Sequence, residues 1–96
     1  GPMNPWIKFL GIWVTGMIVV TVAVFMINII LMRVFQVEPR PASRVSFVVF
    51  MLASEAWLAF SLHQFNPMTS TFWWAVMGIS TVVMIIAIIY MFAMRK

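Results

Sequence analysis

Three long apolar runs, separated by two short polar interruptions, organise this chain. From Phe9 to Met32 there are 24 residues without a charge, bounded by Lys8 and Arg33. A helix rises about 1.5 Å per residue, so about 20 residues cross a hydrocarbon core of roughly 30 Å. The first run is long enough to cross with some tilt. Asn4 and Pro5 supply start chemistry just ahead of it. An Asn side chain caps free N–H groups, and Pro fits the first turn, where its missing N–H costs nothing. The spacing predicts a helix over about 6–33.

A short connector follows. Glu38-Pro39-Arg40-Pro41 reads as a double stop, because each Pro lacks an N–H and disfavours the α region for its predecessor. Ser43 is then the expected cap, and the second helix is predicted over about 44–65. No Asp, Glu, Lys or Arg occurs from Ala56 to Met94, a stretch of 39 residues. That is too long for one crossing. Asn66-Pro67 supplies the break, and Thr69, Ser70 and Thr71 offer caps for a third helix over about 71–94. A β-barrel does not fit, since the runs are continuously apolar rather than alternating and three strands cannot close.

Composition agrees with the pattern. Of the 96 residues 65% are hydrophobic, and only six basic and two acidic side chains are present, too few to cover a water-soluble globule. The expected class is an all-α integral membrane protein of three transmembrane helices in an up-down-up bundle. The bilayer is its main partner, and a bacterial inner (plasma) membrane its expected location. Gly1-Pro2 before Met3 resembles the remnant of a cleaved purification tag, leaving residues 3–96 as a single transmembrane domain. The first run is too long for a signal peptide, and no small-residue cleavage site follows it.

Charge sets the expected orientation. After three crossings the first connector and the C-terminus share one side, which carries Arg33, Arg40, Arg44, Arg95 and Lys96; the other carries Lys8 and the terminal amine. The positive-inside rule then puts the N-terminus outside and the C-terminus in the cytoplasm. Trp6, Trp13, Trp73 and Trp74 fall toward the outer interface, where indole rings prefer to sit, and Tyr90 toward the inner one. The net charge of +4 is thus used for topology, and no basic face for nucleic acid is visible.

Glu55 is the residue that needs an explanation. It follows Arg44 by eleven positions, about 16 Å along a helix, which places it near the bilayer middle. A charge there costs a few kcal/mol or more, about 2.5–3.5 on insertion scales. The side chain must be neutral, paired or in contact with water. It reads either as a proton or cation site or as a hydrogen-bonding acid that joins helices. Asn28 and Thr21, seven residues apart on one face of the first helix, could meet Ser54 or Glu55 on the second. These four residues form the candidate polar path, with ordinary interhelical bonding as the alternative.

The remaining signals are smaller. His63 is a candidate pH-responsive group, because an imidazole titrates in the physiological range; as the only histidine, with no cysteine in the chain, it makes a poor metal site. Met77, Met84 and Met91 form one line on the third helix. Neighbours on it are about 10 Å apart, too far to share a Cu(I) ion, so packing is expected. Ala53, Ala56 and Ala59, then Ala75, Gly78 and Thr81, and also Gly11 and Gly16, mark places where helices could pack closely. No paired carboxylates, phosphate loop, activated nucleophile or dinucleotide fingerprint appears, so neither enzyme activity nor a metal or cofactor is expected.

Three helices make a thin bundle, so a homo-oligomer or a larger membrane complex is expected. The leading expectation is a small homo-oligomeric channel or transporter for protons, cations or small solutes, with Glu55 on the path. In its size, its three crossings, its outside N-terminus and its basic inner C-terminus, the chain also resembles one class of phage holins, which implies pore formation. It departs from that pattern in its short basic tail, Arg95-Lys96. A third expectation is an accessory subunit whose Glu55 and Asn28 bond to partner helices.

Overall fold

A computed structural model describes residues 4–65 and 69–94, all of the regular structure being helical. Helix α1 spans Pro5–Arg33, α2 Pro39–Phe65 and α3 Ser70–Ala93. All three are long and apolar enough to cross a membrane.

The helix ends follow from local chemistry. The Asn4 side chain accepts a hydrogen bond from the Trp6 N–H at 2.9 Å, and Pro5 opens α1. Thr69 caps α3 in the same way, its hydroxyl accepting from the Phe72 N–H at 3.2 Å. At the other end of α1, Gln36 takes φ 55°, the left-handed region, and turns the chain. The Val37 N–H then reaches back to the Leu31 carbonyl at 2.9 Å.

The start of α2 differs from the sequence expectation. The helix begins at Pro39, ahead of Arg44, and the Ala42 N–H already donates to the Glu38 carbonyl at 3.0 Å. The two prolines therefore open this helix where they had been expected to hold it off. The first N–H groups of a helix have no intrahelical acceptor, so Pro39 and Pro41 forfeit nothing by lacking them. Ser43 lies inside the helix and is not its cap.

Helix α2 is the hub. It packs against α1 on one side and α3 on the other, while no Cα atoms of α1 and α3 approach within 8 Å among the described residues. Partners pair in opposite chain senses: Trp13 with Trp57 and Asn28 with Ser46 across α1–α2, and Ala59 with Trp73 and Glu55 with Ser80 across α2–α3. Adjacent helices are thus antiparallel. The result is a slab of 52 × 25 × 15 Å, one helix thick.

The slab reverses the usual layering of a protein in water. Among the described residues the buried hydrophobics are Ala42, Leu62 and Met77, joined by Ser46 and Ser61. Large apolar side chains such as Ile18, Val19, Phe25, Ile79 and Ile89 point outward. In a bilayer the outward face meets acyl chains as apolar as itself, so small and polar residues are the ones that gain from facing another helix. Met77, Met84 and Met91 lie on the less exposed stripe of α3, which can face only α2.

Candidate functional site

Glu55 stands about 24 Å from the first residue of α2 and about 15 Å from the last, by the rise of a helix. Its partners come from the middle of α3. The Ser80 hydroxyl donates to Oε2 at 2.7 Å and the Thr81 hydroxyl to Oε1 at 2.9 Å. Both carboxyl oxygens are therefore engaged across the α2–α3 interface, and the side chain remains part-exposed. No lysine, arginine or histidine forms a salt bridge with it among the described residues.

The arrangement is an oxygen cluster of one carboxyl and two hydroxyls, all on rigid helix backbone. Hydroxyls are adaptable, since each can donate or accept. The cluster can thus serve a carboxylate, by donating twice, or a carboxylic acid, by accepting its proton on one hydroxyl and donating from the other. That adaptability suits a group that gains and loses a proton or meets a passing cation. It is equally suited to joining two helices.

The other polar positions fall elsewhere. Asn28 Oδ1 accepts from the Ser46 hydroxyl at 3.1 Å, tying α1 to the first turns of α2. The Thr21 hydroxyl donates to the Met17 carbonyl of its own helix at 2.8 Å. Ser54 sits beside Glu55 in sequence, but its hydroxyl oxygen is buried without a hydrogen-bond partner. Of the four path candidates, none bonds to another. His63 is exposed and meets the Trp73 ring edge-on at 6.3 Å between centroids.

Small residues divide in a similar way. Gly16 is closely approached: a Cβ built there would collide with the Trp57 indole. That indole lies across α1 and donates its N–H to the Trp13 carbonyl at 3.1 Å. Ala59 offers its carbonyl to the Trp73 indole at 3.2 Å, and Ala53 is half-buried. Ala56 is exposed, and a Cβ added at Gly11 or Gly78 would meet nothing within 4 Å. Gly78 therefore serves no close approach within one chain. Ser80, Ser46 and Trp57 were not anticipated as partners. A hydroxyl pair near the centre of a span, facing an acid near the centre of the next, is the signal that could have found Ser80 and Thr81.

The site and fold together describe a small three-helix membrane protein with an acid held near the middle of its second span. No family model, curated protein or solved structure matches the chain.

Proposed function

We propose that the chain is a small homo-oligomeric membrane channel or transporter for protons, cations or small solutes, with Glu55 on its path. Its location is a bacterial inner (plasma) membrane, with the N-terminus outside, and its role is not enzymatic. One observation carries this reading. Glu55 is held near mid-span by hydroxyls alone, remains part-exposed, and belongs to a slab one helix thick. A single copy has no second layer to enclose a wet path. Copies arranged in a ring would bring one acid per protomer to a common constriction, a known way to select cations. Intramembrane acids are expensive, and they mark ion or proton pathways more often than other side chains do.

The test uses protein reconstituted into vesicles. Proton or cation flux is expected in the wild type and is expected to vanish in Glu55→Gln, which keeps size and hydrogen bonding but cannot ionise. Flux unchanged in that variant would sink the reading. The mass of the intact assembly in mild detergent is expected to be a multiple of one chain. Reproducible co-purification of larger subunits from the native membrane would instead favour an accessory subunit.

A further inference from the structure

The end of the slab away from Trp57 and Trp73, where α2 begins and α3 ends, carries a second feature that the proposed path does not use. A groove of about 790 Å³ runs between the start of α2 and the end of α3. Arg40, Ser43 and Arg44 line it from α2 near the helix end, with Tyr90 opposite on α3. Deeper in, Phe47 and Ala87 make it apolar. Phe47 lies eight residues into α2, so the groove descends about 12 Å from the helix start.

Arg44 is half-buried, unlike Lys8, Arg33 and Arg40, which are exposed. Neither Arg40 nor Arg44 makes a hydrogen bond or ion pair with a described residue. Glu38, the acid at this end, bonds to neither, and the first turn of α2 holds no acid of its own. A guanidinium offers five donors in a planar fork that matches phosphate oxygens. A half-buried cation without a partner among the described residues, above an apolar slot near the end of a membrane-spanning helix, complements one kind of molecule in both halves.

We propose that this groove binds an anionic phospholipid, its phosphate held by Arg40 and Arg44 and one acyl chain lying along Phe47 and Ala87. Basic pockets between transmembrane helices recognise anionic headgroups in this way. The assignment stands independently of the flux reading, since it involves neither Glu55 nor its partners.

The test is native mass spectrometry of the full chain in mild detergent, offered equal amounts of phosphatidylglycerol and phosphatidylcholine with the same acyl chains. Preferential retention of phosphatidylglycerol is expected. Arg40→Gln and Arg44→Gln are each expected to lower that preference about fivefold, the effect of roughly one basic residue at a membrane surface. Lys8→Gln, at the other end, should leave it unchanged. Ala87→Phe fills the slot without altering charge and should also lower retention, which keeps the test decisive should an arginine variant fail to fold. Equal retention of the two lipids overturns the proposal. So does an equal loss in Lys8→Gln, which would mean diffuse charge attraction. Displacement of the lipid by excess inorganic phosphate would overturn it too, because the slot would then add nothing to an anion site.

Discussion

Against α1, helix α2 presents a tryptophan to a glycine; against α3, it presents a carboxyl to two hydroxyls. The first contact depends on shape. Gly16 has no side chain, so the Trp57 indole lies directly on the backbone of α1, and the two helices approach closely along much of their length. The second is looser and depends on hydrogen bonds, from Ser80 and Thr81 to Glu55 and from Trp73 to Ala59. In lipid there is no hydrophobic drive between helices, and close packing and polar bonding are the remaining means of holding them. Both flanks of α2 use hydrogen bonds, from Trp57 to Trp13 and from Ser46 to Asn28 on the α1 side, but only the α1 side adds an indole seated on a glycine. The contact made by shape needs no exposed or ionisable group, whereas the polar one keeps an acid near mid-span. The α3 flank, which carries the acid, is therefore the one on which the proposed path depends.

Substitutions can separate the two contacts. The largest effect is expected for Gly16→Leu, which must expel the Trp57 indole. Overpacking of this kind costs about 1–3 kcal/mol, read as a lower unfolding midpoint in detergent, while Gly11→Leu should change little because its position is open. Equal losses at both glycines would mean that the α1–α2 contact does not depend on shape. Next comes Glu55→Ala, which removes both hydroxyl bonds. Interhelical hydrogen bonds in membranes average about 0.6 kcal/mol each, so a loss of about 1 kcal/mol is expected, and Glu55→Gln should retain most of the stability. A larger loss in Glu55→Gln than in Glu55→Ala would contradict the bonding described. The smallest effect is expected for Trp73→Phe, which deletes the indole N–H that reaches the Ala59 carbonyl. About half a kcal/mol should be lost, and a double cycle with Glu55→Ala measures whether the two polar bonds act together.

The first and third spans were legible because an uncharged run of twenty or more residues has few other uses, the second because its apolar run is interrupted only by Glu55, and the Asn4 and Thr69 caps followed from their position before the first and third runs. The start of α2 was misread because proline signals both a stop and a beginning, and only its place within the turn decides between them. The position of Glu55 near mid-span could be read from spacing alone. Its partners could not, because Ser80 and Thr81 lie on another helix and the relative rotation of two helices is not written as an apolar stripe. In soluble helices one face is apolar and announces itself; here nearly every face is, so small and hydroxyl residues such as Ala42, Ser46 and Ser61 mark the packed side better than apolarity does. The same uniformity let Gly11, Gly16 and Gly78 look alike, although only Gly16 receives a neighbour.

Among the described residues no Cα atoms of α1 and α3 come within 8 Å, which bears on the order of assembly. Among the described residues, every close backbone approach of α1 to another helix is to α2, and is complete once α2 has emerged from the ribosome. The first two spans can therefore enter the bilayer as a finished hairpin, with the third added afterwards at the open flank. A chain truncated after α2 would keep the indole-on-glycine seat intact and lose the hydroxyl partners of its acid, leaving a folded hairpin with an unsatisfied carboxyl facing the lipid.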